Sequence, residues 1–247
     1  MSIAGKVKFF KELSILSKKR LASEEDYLRF QEFQARAVYR DIDKILKVKP
    51  ESFVIDFGCG KGGYTKFLAT KYAHVRGVDF YVKQLSSDKH LFESYDLLKY
   101  RNYQKADFIF CASVIEHITE QSKLIKSIKE NLKPGGALYL SFPPFFSIGG
   151  GHQLKPFHYF PEKLAIWLGK RNKRIKAGVT GYKNLFGSFG LNKTFIRSIR
   201  ALLVKNDFQI IKCKTRFFPF NSANIPVFGE FLTWHVEFYC KNGGIKC

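Results

Sequence analysis

Residues 54–64 read Val-Ile-Asp-Phe-Gly-Cys-Gly-Lys-Gly-Gly-Tyr, and this stretch decides the fold. An apolar run with one carboxylate passes directly into four glycines, at positions 58, 60, 62 and 63. Because glycine has no Cβ, the backbone of such a loop can turn sharply and approach a ligand closely. The residues that follow predict a helix, whose first N–H groups are free to bind that ligand. We therefore predict a buried strand, a ligand-binding turn and a helix.

Outward from this stretch, short apolar runs alternate with amphipathic segments. The runs predict strands at residues 52–57, 74–79, 91–95, 107–112 and 137–142. The amphipathic segments predict helices at residues 62–71, 82–90 and 120–132. A helix at 192–206 and two final strands at 208–218 and 234–240 complete the pattern. This alternation is typical of a doubly wound α/β fold, in which helices cover both faces of a parallel sheet.

Two further segments set the domain organisation. Residues 1–50 predict a basic leader and a helical cap, whose helix begins at the Ser23 cap and ends before Pro50. Three side chains of this helix are candidates to point inward: Tyr27, Phe30 and Arg36. Residues 51–247 form the α/β domain. Within it, residues 143–191 do not alternate and are too long for a plain loop, which indicates an insertion that faces the substrate.

The bulk composition excludes several classes of protein. The chain has 247 residues, 45% of them hydrophobic, which is enough for one large core. No run approaches the ~20 apolar residues of a membrane helix, and charges interrupt any signal-peptide core in the leader. We therefore expect a cytoplasmic location. The five cysteines show no paired spacing, so the sequence predicts neither a disulfide framework nor a metal site.

Charge is the unusual property of the composition. The formal net charge is +21, and residues 155–205 hold twelve Lys and Arg against the single acid Glu162. Such a field attracts nucleic acid, anionic lipid headgroups or acidic small substrates. The charge therefore leaves two kinds of partner open: an anionic membrane, contacted peripherally, and nucleic acid.

The glycines alone leave two classes of ligand open. Gly58, Gly60 and Gly63 also satisfy the spacing of a dinucleotide-binding turn, and Asp79 lies about 20 residues further on. A carboxylate at the end of the second strand can accept hydrogen bonds from a ribose diol in either class. A nicotinamide-dependent enzyme therefore stays open at this point.

Three features favour a different ligand. Asp56 lies two residues before the first glycine, where a carboxylate suits a cationic cofactor and would suit a pyrophosphate poorly. Asp96-Leu97 precedes the fourth strand, and a carboxylate there can accept a hydrogen bond from an adenine amino group. Glu116-His117 follows the fourth strand, and residues 132–136, Leu-Lys-Pro-Gly-Gly, lead into the fifth.

In this order the motifs resemble those of class I S-adenosylmethionine-dependent methyltransferases, over residues 52–142. The closest likeness is to the UbiE-like branch, whose members act on small molecules. The resemblance implies a Rossmann-like seven-stranded sheet with an antiparallel last strand, and S-adenosylmethionine as cofactor. It implies these cofactor-binding residues: Asp56, Gly58, Cys59, Gly60, Gly62, Asp79, Phe80, Asp96, Leu97, Ser113 and Glu116.

The acceptor is less defined than the cofactor. A histidine is the usual general base for an acceptor that is not acidic, and the candidates are His117, His152 and His158. Residues 112–117 read Ala-Ser-Val-Ile-Glu-His, without the N/D-P-P-Y/F motif common in enzymes that methylate base nitrogens. This favours O-, N- or C-methylation of a small-molecule or saccharide-like acceptor.

Two alternatives stay open beside this function. The basic residues 155–205 are interleaved with aromatic rings that could stack on bases, which would suit an RNA methyltransferase. Those rings are Tyr159, Phe160, Trp167 and Tyr182. A cofactor-binding protein without catalysis, docked on an anionic surface, is the other alternative.

Overall fold

The computed structural model describes residues 3–20, 22–80, 91–186, 189–218 and 220–243, with side chains from residue 9 onward. The described strands are β1 Phe53–Phe57, β2 His74–Asp79, β3 Phe92–Ser94, β4 Ala106–Ala112, β5 Leu132–Phe142, β6 Phe208–Thr215 and β7 Val236–Asn242. The described helices are α1 Ile3–Lys19, α2 Glu24–Leu46, α3 Gly63–Ala69, α4 Gln121–Asn131, α5 Glu162–Arg171, α6 Ile196–Lys205 and α7 Gly229–Leu232. The helix predicted at residues 82–90 lies outside the described residues.

The strands form one seven-stranded sheet in the order β3-β2-β1-β4-β5-β7-β6. The first five pair in parallel, and β7 runs antiparallel to both β5 and β6. This confirms the predicted sheet and its antiparallel last strand. In this order the chain turns back at β1, so the carboxyl ends of β1 and β4 flank the point where a doubly wound sheet binds its ligand.

Both faces of the sheet are covered, because successive side chains of a strand point to opposite faces. In β1, Phe53, Ile55 and Phe57 join the core packed against α4 and α6, whereas Val54 joins the core under α2 and α3. All five residues of the strand are buried. Burial on both faces explains why the sequence of β1 is apolar almost throughout.

The predicted N-terminal helix forms as α2, and Ser23 caps it by accepting a 3.0 Å hydrogen bond from the Asp26 N–H. The inner stripe of α2 packs on the sheet through Val38 and Ile42. The prediction that Arg36 points inward is wrong: its side chain is 65% exposed and pairs with Glu32 at 2.6 Å. An i,i+4 ion pair on the solvent side satisfies this guanidinium without burying it.

Residues 143–191 are not a plain loop. They contain α5 and a hydrophobic cluster of their own, in which Phe145, Leu154, Ile166 and Tyr182 are buried. Tyr182 is only 5% exposed. It therefore lacks the free ring face that its predicted role in stacking on bases would need.

A buried charged network joins the last three strands. Arg216 lies directly after β6, is fully buried, and its Nε donates to Glu237 Oε1 at 3.0 Å. Tyr139 of β5 accepts from Arg216 at 2.8 Å and donates to the same Glu237 oxygen at 2.7 Å. Both charged groups of the pair therefore have close partners, which a buried ion pair requires.

Among the helices of the described residues, none combines the length and the apolar composition needed to cross a membrane.

Candidate functional site

The glycine loop after β1 follows a backbone path that side chains would prevent. Gly58, Gly60 and Gly62 have φ angles of +87°, +53° and +79°, in the left-handed region that favours glycine. A Cβ on Gly58 would lie 2.3 Å from a methyl carbon of Val114, whereas a Cβ on Gly60 would meet no atom of the described residues within 4 Å. Gly58 therefore permits close packing against the end of β4, and Gly60 faces open space.

Asp79, at the end of β2, joins this loop. Its Oδ2 accepts a 3.0 Å hydrogen bond from the Gly60 N–H. The next residue, Phe80, is 61% exposed, and its carbonyl accepts from the Ser94 hydroxyl at 3.1 Å. The loops after β1, β2 and β3 are thus tied together beside the open space at Gly60.

Asp56 lies below the loop rather than on its surface. It is 2% exposed, and its Oδ2 accepts a 2.6 Å hydrogen bond from the Thr65 hydroxyl of α3. Burial raises the pKa of this carboxyl to about 7, although the Thr65 hydrogen bond opposes the shift. Burial penalises the ionised form because water no longer solvates it.

This pKa shift predicts a pH-dependent stability. The folded protein holds the Asp56 proton more tightly than the unfolded chain does. Protonated Asp56 therefore contributes to the stability of the fold below pH ~4, and this contribution is lost as the pH rises to about 7. In Asp56→Asn the side chain stays neutral and can still accept from Thr65. We expect the stability of the variant relative to the wild type to rise by about 1.4 kcal/mol per pH unit from pH 4 to 7. Urea unfolding at pH 5, 6, 7 and 8 measures this; parallel curves would contradict it.

Three other predicted cofactor residues occupy supporting positions. Asp96 Oδ1 accepts a 2.9 Å hydrogen bond from the Leu98 N–H, which fixes the turn after β3. Leu97 is buried in the core of the sheet. Cys59 is 2% exposed and packs against Gly77, where an added Cβ would lie 3.0 Å from its sulfur.

The end of β4 forms the facing wall. Ser113 is exposed with φ +58°, and its N–H donates to the Ser141 carbonyl at 2.8 Å. Glu116 follows on a short 3₁₀ turn and is 1% exposed, and neither of its carboxylate oxygens has a hydrogen-bond partner among the residues that the structure describes. Burial raises the pKa of Glu116 to about 8. A buried carboxyl without partners is costly and indicates a group that receives a ligand.

Two histidines lie beside this carboxyl. His117 Nδ1 donates to the Gly190 carbonyl at 2.8 Å, which assigns the proton to Nδ1 and leaves the lone pair on Nε2, 4.0 Å from Glu116 Oε1. The ring of His152 lies 5.3 Å from that of His117, and both pack on Phe186. Burial lowers the pKa of His117, and burial together with nearby positive charge lowers that of His152 to about 3.

The structure thus brings together two of the three candidate histidines. One ligand atom each from Glu116, His117 and His152 lies within 4.8 Å of the others. His158 has a different setting: it is 1% exposed, its ring contacts that of Phe145 in an edge-to-face arrangement, and its Nε2 lies 3.2 Å from the Ser147 carbonyl. Because residue 152 is far from residue 116 in the chain, spacing in the sequence did not reveal the group.

Several polar residues near the site were not predicted from the sequence. The Gly63 N–H donates to Gln31 Oε1 at 3.1 Å, and the Tyr64 hydroxyl donates to Gln34 Oε1 at 2.7 Å. Helix α2 therefore contacts the first turn of α3, next to the glycine loop. Buried glutamines within the apolar stripe of α2 were the available signal. His235 is also buried, its Nε2 has no hydrogen-bond partner in the described ranges of the chain, and no motif marks it.

A family model described as a methyltransferase domain matches residues 30–178, more than half of the 247-residue chain. The ubiquinone biosynthesis O-methyltransferase of Nitrosomonas europaea is 32% identical over 111 residues, 40% of this chain and 47% of the relative. The trans-aconitate 2-methyltransferase of Pseudomonas aeruginosa is 30% identical over 124 residues, 47% of this chain and 45% of the relative. The matches thus span less than half the length of these curated relatives.

Solved structures share the fold. The crystal structure of an S-adenosylmethionine-dependent methyltransferase from Clostridium acetobutylicum superposes with a TM-score of 0.60 at 15% identity. The superposition covers 85% of this chain and 91% of the other. At this identity the likeness concerns the fold alone.

Proposed function

Because this chain belongs to the class I S-adenosylmethionine-dependent methyltransferases, we propose that it transfers the methyl group of S-adenosylmethionine to a small-molecule acceptor. The observation that carries this proposal is the glycine loop after β1, linked through Gly60 to the carboxylate of Asp79. It lies opposite the unpartnered carboxyl of Glu116, at the carboxyl ends of the parallel strands.

The residues on the cofactor side fit S-adenosylmethionine. The open space at Gly60 gives a ligand access to the backbone, and the Asp79 carboxylate beside it would accept hydrogen bonds from ribose hydroxyls. We infer that Asp96, in the turn after β3, would contact the adenine end, and that Asp56 supports the loop from below through Thr65. The cofactor supplies a sulfonium-bound methyl group, so the protein mainly has to align an acceptor with it.

We place the acceptor between the end of β4 and residues 143–191. Glu116, His152 and His235 all present buried polar atoms that have no partner within the described part of the chain. The rings of Phe186 and Phe189 each lie 5.1 Å from that of His117 and would exclude water from this space. His158, bound to Ser147 and packed behind Gly151, we place outside the acceptor space.

An RNA acceptor or an anionic surface is the second candidate, and one cavity favours it. Its volume is about 660 Å³, and its lining includes Lys170, Lys173, Arg174 and Lys176. Nearby, Trp167 is 52% exposed and the Arg171 guanidinium lies 5.3 Å from the centre of its ring. Such a cavity suits phosphate groups. It lies on the insertion and does not include the glutamate-histidine group.

Calorimetric titration with S-adenosylmethionine, S-adenosylhomocysteine and NAD tests the cofactor. We expect micromolar binding of the two sulfur compounds and no heat with NAD. Incubation of the protein, cell extract and methyl-labelled S-adenosylmethionine, followed by size fractionation, then tests the acceptor. We expect label in the small-molecule fraction.

The outcomes separate the candidates. Label in RNA that is lost at high salt would replace the small-molecule proposal with the second candidate. Cofactor binding without label in any fraction would support a cofactor-binding protein without catalysis. Binding of NAD alone would contradict the methyltransferase proposal.

A further inference from the structure

We propose that Glu116, His117 and His152 form a binding site for one divalent transition-metal ion, with coordination positions left open for an oxygen of the acceptor. The inference rests on the proposed function, since it gives the acceptor space a specific ligand chemistry. The acceptor is then a molecule with an oxygen that can coordinate a cation.

The donor set is the first support. Two imidazoles and one carboxylate suit Zn²⁺, Fe²⁺ or Mn²⁺, and three protein ligands leave room for a further ligand. Ligand atoms around a tetrahedral Zn²⁺ lie about 3.4 Å apart, from bond lengths of about 2.1 Å. The atoms of Glu116, His117 and His152 lie within 4.8 Å of one another. Side-chain rotations that move the ligand atoms by about 1 Å would therefore complete the coordination.

The unpartnered state of the donors is the second support. Glu116 is 1% exposed, and within the described part of the chain both of its oxygens and the buried His152 Nε2 lack a hydrogen bond. The backbone around Glu116 is held, because its carbonyl accepts hydrogen bonds from Asn192 N–H at 2.7 Å and from its side-chain amide at 3.1 Å. The backbone at Glu116 is thus held, while the described residues make no hydrogen bond to the Glu116 oxygens or to His152 Nε2.

The orientation of His117 is the third support. Its Nδ1 donates to the Gly190 carbonyl at 2.8 Å, so the Nε2 lone pair faces Glu116. Metal-binding histidines typically donate their second ring nitrogen to a carbonyl or carboxylate in this way, which fixes the tautomer and the ring.

The surrounding positive charge lowers the affinity for a metal ion but suits an anionic acceptor. The positive charges of Lys155 and Arg20 act on His152, whereas Arg216 is paired with Glu237. These two cations oppose a bare divalent ion and favour one whose open positions hold an anionic oxygen. We therefore expect affinity in the micromolar range, tightened by a chelating acceptor.

Cobalt titration of the chelator-treated full chain tests the site, because Co²⁺ reports its coordination through visible absorption. We expect one equivalent of Co²⁺ to give the intense bands of a four- or five-coordinate ion, and Zn²⁺ to abolish them by displacement. Glu116→Gln and His152→Gln should each weaken Co²⁺ binding at least 100-fold. His74→Gln, at an exposed position on β2, is the matched control and should bind as the wild type does.

The result that overturns the inference is a wild-type protein that binds no stoichiometric Co²⁺ or Zn²⁺, or a His74→Gln variant that loses binding as the other two do. The wild-type spectrum decides even if a variant does not fold. Titration of the same samples with S-adenosylmethionine distinguishes the two proposals. Cofactor binding without metal binding refutes only the metal site, whereas the absence of cofactor binding refutes the proposed function.

Discussion

Asp79→Ala is expected to weaken S-adenosylmethionine binding by about 100-fold, from two lost charge-assisted hydrogen bonds of about 1.5 kcal/mol each. The wild-type carboxylate also accepts the Gly60 N–H at 3.0 Å, so its removal loosens the loop that approaches the ligand. Both effects lower the affinity of the protein for the cofactor. Calorimetric titration of the wild type and the variant measures the ratio of dissociation constants.

Asp79→Asn is the matched control for this prediction. The amide keeps the size of the side chain and one oxygen for the Gly60 N–H, but it has no negative charge. We expect an intermediate loss of about 10-fold, since charged acceptors bond roughly twice as strongly as neutral ones. An alanine variant that binds within threefold of the wild type would remove Asp79 from the cofactor site.

Glu237→Leu should lower the free energy of unfolding by about 3–5 kcal/mol, because it leaves the charge of Arg216 buried without its counterion. Arg216 is fully buried and donates to Glu237 at 3.0 Å, and Tyr139 would lose its acceptor at the same time. Tyr239 and Lys214 would also lose their contacts with Glu237, at 2.9 and 3.4 Å, although Lys214 would keep its ion pair with Asp41. Urea unfolding at neutral pH, with an unchanged dependence on denaturant, measures the loss.

The double variant Arg216→Met/Glu237→Leu provides the control. Removing both charges leaves an apolar contact of similar volume, so most of the lost stability should return. A single variant within 1 kcal/mol of the wild type would show that Arg216 is solvated after all. A double variant no more stable than the single one would show that shape, and not charge, is what the network contributes.

The sequence by itself determined the sheet and the cofactor loop of this protein. A strand buried on both faces is mainly apolar, as in β1, where Asp56 is the exception, and a loop with several positive φ angles favours glycine, as at Gly58 and Gly60. Both signals are local, since they come from neighbouring residues in the chain. The fold, the position of Asp79 and the cap at Ser23 follow from such local signals.

Tertiary structure alone decided which distant polar groups meet. Three pairs of residues come together only because separate segments pack on the same sheet: Glu116 with His152, Arg216 with Glu237, and Gln31 with Gly63. Arg36 points to solvent for the same reason, because the register of α2 on the sheet selects its inner face. A contact between distant segments depends on the packing of everything between them, and no local pattern records it.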